Sequence, residues 1–132
     1  MFLGTILMVC MLLLSGCTLQ SEEKLKLRDL DFTVLSEEKI PEELKKKLEE
    51  AKTAPFQFTY MDQEFLYLCI GYGQQETGGY SIAVNELYLT DTNICVSTSL
   101  LGPESSERNN RTPSYPYIVL KTERLEQTVI FE

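Results

Sequence analysis

The chain has 132 residues, of which 12 are basic and 20 acidic, and it contains no histidine. The net charge of −8 argues against a nucleic-acid-binding surface, since counterion release from phosphates needs clustered Lys and Arg. The size suits a single domain with one hydrophobic core, and without histidine the commonest general base and metal ligand are absent.

The N-terminal segment resembles a bacterial secretory signal. Residues 2–14 are almost entirely apolar, and this run is shorter than the roughly 20 residues that a spanning helix needs. The next residues resemble the lipobox, an aliphatic residue and two small ones before a cysteine: Leu14, Ser15, Gly16 and Cys17. In that motif signal peptidase recognises the three residues before the cysteine, whose thiol accepts a diacylglycerol.

The sequence therefore predicts a signal peptide over 1–16, a lipidated tether over 17–24 and one extracytoplasmic domain over 25–132. Diacylglycerol and acyl lipid on Cys17 would hold that domain at the extracytoplasmic side of the cell membrane, because two or three acyl chains anchor a protein firmly. The alternative is a chance Ser-Gly-Cys inside an uncleaved anchor. We expect no other cofactor and no metal.

The first elements of the mature chain are strands and one helix. Apolar and polar residues alternate from Leu25 to Val34, which predicts one or two short strands. A helix is predicted over 36–52, with Pro41 in its first turn, where a missing N–H costs nothing. The helix carries a narrow apolar stripe, so we expect it to lie on a sheet with its other faces in water; the stripe comprises Ile40, Leu44, Leu48 and Ala51.

From Phe56 onward the pattern is typical of β-structure. A short strand is predicted over 57–60, and the nearly continuous apolar run over 64–72 predicts a central strand buried on both faces. The alternation over 80–89 changes phase at Asn85-Glu86, which a bulge explains. Further strands are predicted over 93–101, 115–121 and 127–131, with Pro116 at a strand start or sheet edge.

These elements predict an α+β fold that is mainly β. We expect an antiparallel sheet or small sandwich of about six to seven strands with one N-terminal amphipathic helix. Cys69 and Cys95 both lie in apolar, strand-like runs. An exported protein could join them in a disulfide, but two buried thiols acting as small apolar side chains are favoured.

A glycine-rich loop joins the two strongest strands. Gly78 and Gly79 can adopt positive φ at little cost, and they expose backbone N–H groups between Thr77 and Tyr80. One interpretation is a hairpin turn with the tyrosine packed back on the sheet. The other is a binding loop formed by Thr77, Gly78, Gly79 and Tyr80.

A string of features, in order, resembles the C-terminal domain family of the protease complex subunit PrcB. They are Ile40-Pro41-Glu42-Glu43-Leu44, the strand Phe65–Ile70, Gly73-Gln74, the run Thr77–Ile82 and the run Tyr115–Lys121. The resemblance spans roughly positions 32 to 122. It implies an accessory domain that helps to assemble or stabilise a secreted protease complex, and it adds Tyr115, Pro116 and Tyr117 as candidate supporting residues.

The residues do not favour catalysis. Cys17 would be lipidated, an apolar setting raises the pKa of a thiol, and the glutamate pairs lie on a solvated helix. We therefore predict a non-enzymatic, membrane-tethered lipoprotein that binds proteins. Its expected partners are the membrane, through the lipid, and an envelope or secreted protease, with no nucleic acid and no small-molecule substrate. The alternatives are a protease inhibitor that uses the Thr77–Tyr80 loop and a purely structural envelope protein.

Overall fold

The computed structural model describes residues 25–104 and 111–132. The predicted signal peptide, the lipobox with Cys17 and the tether over 17–24 lie outside these ranges. Within them, no helix combines the length and the apolar character that crossing a membrane requires.

The described residues form eight strands in two four-stranded sheets, so the mainly β fold class is confirmed. The helix-side sheet has the order β2-β7-β4-β3, and the outer sheet has the order β1-β5-β6-β8. All strand pairs are antiparallel except β6 with β8, which is parallel. The strands are β1 (Lys26–Asp29), β2 (Phe32–Val34), β3 (Pro55–Met61), β4 (Phe65–Tyr72), β5 (Ser81–Thr90), β6 (Asn93–Leu101), β7 (Tyr117–Glu123) and β8 (Thr128–Phe131).

The main hydrophobic core lies between the two sheets. Alternate residues of β4 point into it, and residues of β5, β6 and β7 complete it. Leu68 and Ile94 meet there from opposite sheets and are completely buried. The architecture is therefore the small sandwich, with its sheets held together by apolar contact.

Helix α1 (Glu42–Ala51) covers the outer face of the helix-side sheet. Its two buried residues, Leu44 and Leu48, pack against Tyr67, Cys69 and Val119. Strand β4 is consequently buried on both faces, as its continuous apolar run predicts. The prediction of a helix lying on a sheet is also confirmed.

The predicted start of the helix at residue 36 is wrong. Residues Glu37–Lys39 form a short 3-10 turn, and Ile40 and Pro41 are extended, with ψ of 131° and 142°. The ring of a proline disfavours the helical conformation in the residue before it, so Ile40 interrupts the helix. Pro41 lies before the first turn, where its carbonyl accepts a bond of 2.9 Å from the Lys45 N–H.

Two irregularities predicted from the sequence are confirmed. The pairing of β5 with β6 shifts register between Val84 and Glu86, which places a bulge at Asn85. Pro116 directly precedes β7, where it removes no N–H from the ladder. Its carbonyl accepts a bond of 3.0 Å from the Tyr72 N–H.

Cys69 and Cys95 are buried and are not joined in a disulfide. Cys69 faces α1, on the outer face of the helix-side sheet. Cys95 lies between Ile94 and Val96 on β6, and both of these neighbours point into the inter-sheet core. Because side chains alternate along a strand, the Cys95 side chain points to the opposite face of the outer sheet. The whole sandwich separates the two thiols, and the disulfide interpretation is wrong.

Candidate functional site

Residues 73–80, here named the crossover loop, connect β4 in one sheet with β5 in the other. The hairpin interpretation is therefore wrong, since the two strands are not partners. Gly73 and Gly79 have φ of 75° and 86°, in the region that side chains rarely adopt. The expectation of positive φ is confirmed at Gly79, whereas Gly78 is not among the residues with positive φ.

The crossover loop is fixed to residues 114–117, here named the tyrosine segment. The Gln75 N–H donates to the Ser114 carbonyl at 2.8 Å, and the Ser114 N–H donates back to the Gln75 carbonyl at 3.0 Å. The Ser114 hydroxyl also donates to the Thr77 carbonyl at 2.6 Å. Two segments that the sequence analysis singled out separately are thus adjacent in the fold.

A cavity of about 640 Å³, here named the groove, opens beside the crossover loop. Its size lies within the range of ligand pockets. Of the predicted binding residues, Thr77 and Tyr80 line the groove, whereas Gly78 and Gly79 are not among its lining residues. The groove is lined by Gln74, Glu76, Thr77, Tyr80, Gly102, Pro103, Arg111 and Pro113.

The groove combines charged, aromatic and rigid residues. Glu76 and Arg111 are exposed at its wall, so it offers both signs of charge. Tyr80 lies against the end of β6, where a Cβ on Gly102 would be 3.8 Å from the Tyr80 Cε1. Local sequence does not mark Gly102, Pro103 and Arg111 as site residues, because these segments meet the crossover loop only in the folded chain.

The tyrosine segment stands next to the groove without lining it. The Tyr115 hydroxyl lies 3.5 Å from the Gln74 Oε1, at the outer limit of a hydrogen bond. The Lys52 ammonium sits 5.4 Å from the centre of the Tyr115 ring, a cation–π distance. A hydrogen bond to Glu49, at 2.8 Å, raises the pKa of Lys52 and keeps this cation in place.

Tyr117 is held by an aromatic row that crosses the sheet. Phe56 pairs with Gly71 on β4, and Gly71 pairs with Tyr117 on β7. Because Gly71 has no side chain, the Phe56 ring can lie over it. The centroids of the Phe56 and Tyr117 rings are 6.3 Å apart. Burial is the main cause that raises the pKa of Tyr117, followed by the nearby charge of Glu37.

Two side chains that could act as nucleophiles, those of Thr77 and Cys69, are not activated in this structure. The Thr77 hydroxyl donates to the Gly78 carbonyl at 3.2 Å, so it is engaged with its own loop. Burial raises the pKa of Cys69 to about 12, which keeps that thiol protonated. Among the described residues, no three His, Cys, Asp or Glu side chains are grouped so as to hold a metal ion.

Comparison with protein families gives a match to part of the chain. A family model described as PrcB C-terminal matches residues 66–123, the stretch from β4 to the end of β7. It contains the crossover loop, the tyrosine segment and every described residue of the groove, while the Ile40–Leu44 part of the resemblance lies outside it. Neither the curated proteins nor the solved structures gave a match.

Proposed function

We propose that this chain, whose residues 66–123 match the PrcB C-terminal family model, is a membrane-tethered accessory lipoprotein of that family that binds a secreted or envelope protease. The family suggests a domain associated with a protease complex and is of an accessory type. The groove is the proposed contact surface. Cys17 carries the proposed lipid, outside the described residues.

The observation that carries this proposal is the reciprocal bonding of Gln75 with Ser114. These bonds fix the wall of the groove before any partner arrives, so binding costs less conformational entropy. Tyr80 and Arg111 are of the residue types that dominate binding energy at interfaces. Both belong to the matched region of the family.

The protease-inhibitor alternative has less support than groove binding. An inhibitory loop enters an active-site cleft through exposed residues near its tip. Thr77 is only 9% exposed, and its carbonyl already accepts the Ser114 hydroxyl at 2.6 Å. We therefore assign the contact to the wall of the groove and not to a projecting Thr-Gly-Gly tip.

The proposed tether has a short reach. Eight residues, 17–24, separate the lipid from Leu25, where the described domain begins. Fully extended, they span at most about 26–29 Å. A partner of the groove must therefore lie close to the membrane surface or be recruited to it.

The lipid anchor is tested by Cys17→Ser, with Cys10→Ser as the matched control. We expect Cys17→Ser to abolish labelling with radioactive palmitate and to release the protein from membranes, while Cys10→Ser retains both properties. If Cys17→Ser chains are processed and retained like the wild type, the lipoprotein assignment is wrong.

The groove is tested by Arg111→Glu, with Arg124→Glu as the matched control at the other end of β7. Tagged full-length chains are extracted from their own membranes, and the captured fraction is assayed for proteolytic activity and for its protein composition. We expect the wild type and Arg124→Glu to capture a protease, and Arg111→Glu to lose it. Equal capture by both variants contradicts the proposed surface, and no captured protease contradicts the accessory role.

A further inference from the structure

The two sheets have four edge strands, and three of them carry features that prevent edge-to-edge pairing. Strand β1 has the charged residues Lys26, Arg28 and Asp29 and an irregular register with β5. Strands β2 and β8 are only three and four residues long. Short, charged or irregular edges are poor templates for another strand.

Strand β3 (Pro55–Met61) is different from the other three edges. It is seven residues long, and none of them is charged, although 24% of all residues in the chain are. Its inner side pairs with β4 over its full length. No strand among the described residues pairs with its outer side.

The outer row of backbone groups on β3 can be assigned from its pairing. The Asp62 N–H donates to the Phe65 carbonyl at 3.1 Å, so the hydrogen-bonded positions of β3 recur at every second residue before Asp62. The N–H and C=O groups of Gln57, Thr59 and Met61 consequently point away from β4. Pro55, which lacks an N–H, lies at the start of the strand, where it leaves those three residues unaffected.

We propose that two copies of this chain pair antiparallel through β3, with a two-fold axis at Thr59. The two helix-side sheets then become one continuous sheet that runs from β2 of one copy to β2 of the other. In this register Thr59 faces the partner's Thr59, and Gln57 faces the partner's Met61. Each pair exchanges backbone hydrogen bonds, as an antiparallel ladder requires.

Charge favours a second copy as the occupant of this edge. A chain with a net charge of −8 repels another copy of itself over most of its surface, so a second copy meets the least repulsion at an edge that is locally neutral. Strand β3 has that neutrality, and a two-fold interface needs a patch that complements itself. Opposed threonines are also a favourable cross-strand pair.

This pairing uses none of the residues that line the groove, so it does not depend on the proposed function. The dimer and the contact with a protease can be lost separately by substitution. If groove variants lose the protease while the dimer persists, that result bears on the proposed function and leaves the β3 pairing intact.

Charge substitution at the two-fold axis tests the inference. Full-length protein in a non-ionic detergent is studied by sedimentation equilibrium as the wild type, as Thr59→Lys and as Thr59→Glu. Like charges directly opposite each other should weaken self-association about tenfold or more in each variant. Mixing the two variants should restore it, since lysine then faces glutamate.

Thr33→Lys, on the exposed edge strand β2 at the opposite end of the helix-side sheet, is the matched control and should associate like the wild type. A wild type that remains monomeric, or a Thr59→Lys variant that associates as well as the wild type, overturns the proposal. A monomeric wild type would leave the edge available to a different protein.

A cross-link supplies a second measurement that does not depend on destabilising the dimer. Thr59→Cys is placed in a background with Cys10→Ser and Cys17→Ser, where Cys69 and Cys95 are buried. Opposed residues in a hydrogen-bonded pair are about 5.5 Å apart between Cα atoms, within disulfide range. Rapid dimer formation is expected with Thr59→Cys but not with Thr33→Cys on the far edge strand β2. Equal yields at both positions overturn the two-fold register.

Discussion

Gly71 leaves space for an aromatic ring to cross the helix-side sheet. A Cβ at this position would lie 2.1 Å from the Phe56 Cε2, far inside van der Waals contact. The Phe56 ring also stacks on Phe58 at a centroid distance of 5.3 Å and contacts Tyr117 at 6.3 Å. The ring therefore has little freedom to move away.

The first prediction is that Gly71→Ala destabilises the protein by about 1–3 kcal/mol, the usual cost of overpacking. The added methyl group must displace the Phe56 ring from its two aromatic neighbours. Urea unfolding of Gly71→Ala, Phe56→Leu and the double variant measures this effect. The losses should be less than additive, because leucine leaves room for the methyl group; fully additive losses contradict the assigned contact.

Asp62 organises the turn between β3 and β4. Its carboxylate accepts bonds from the Phe65 N–H at 2.7 Å, the Tyr67 hydroxyl at 2.8 Å and the Glu64 N–H at 2.8 Å. These bonds, that from the Phe65 N–H first, hold the pKa of Asp62 below its ordinary value of 3.8. Burial, followed by the bond to Asp62, raises the pKa of Tyr67 to about 12, which keeps its hydroxyl a donor.

The second prediction concerns acid stability. Because the folded-state pKa of Asp62 is lowered, its contribution is present above the unfolded-state pKa and is lost as the pH falls through the folded-state pKa. The free energy of unfolding should therefore fall more steeply in acid for the wild type than for Asp62→Asn. Tyr67→Phe, which removes one donor, should give an intermediate slope. Parallel pH profiles for all three proteins would show that these bonds do not persist in solution.

At the scale of elements, helix α1 attaches to the sandwich through two leucines. Leu44 and Leu48 are 0% and 1% exposed, whereas Glu42, Glu43, Lys46 and Lys47 remain in water. The helix is short, and isolated helices of this length are marginal in water. Its stability therefore depends on contact with the sheet below it.

The third prediction is that Leu48→Ala lowers the free energy of unfolding by about 2–5 kcal/mol, the range for a buried leucine. Leu27→Ala, at a position that is 61% exposed, should change it by less than about 0.5 kcal/mol. Thermal and urea unfolding both measure this difference. Similar losses for the two variants would mean that α1 does not pack as described.

Local patterns predicted most elements of the fold, but not their arrangement. The phase change at Asn85 indicated the bulge, and the apolar run over 64–72 indicated a central strand, because both depend on neighbours in sequence. The separation of β4 and β5 into different sheets could not be predicted, since a glycine-rich loop can close a hairpin or cross between sheets. The helix begins later than its pattern predicts, because Pro41 disfavours the helical conformation at Ile40.

The candidate site was predictable only in part, for the same reason. Thr77 and Tyr80 were visible as loop residues next to glycines. Arg111 and Gly102 reach the groove from other segments, and nothing in their local sequence distinguishes them. The contact between Phe56 and Gly71 depends on strand register, which a single sequence does not specify.

At the scale of the whole molecule, the two buried cysteines lie on opposite outer faces of the sandwich. The distance between stacked sheets alone, about 10 Å, exceeds the Cα separation that a disulfide can bridge. No disulfide therefore links Cys69 and Cys95, the two cysteines of the described residues, so we expect reduction to leave the described fold unchanged.

The fourth prediction is that a reductant leaves the unfolding midpoint unchanged. In a background with Cys10→Ser and Cys17→Ser, a thiol reagent should modify neither Cys69 nor Cys95 in the native protein and should modify both in urea. A lower midpoint in reductant, or the absence of both reactive thiols in urea without reductant, would contradict the placement of these two side chains.

Binding of an envelope or secreted protease through the groove is tested most directly by photo-cross-linking in living cells. A benzophenone amino acid replaces Tyr80, which lines the groove, or Tyr88, which lies beside Cys95 on the outer sheet. We predict an adduct with a protease from position 80 and none from position 88. No adduct at position 80, or equal adducts at both positions, would contradict binding through the groove.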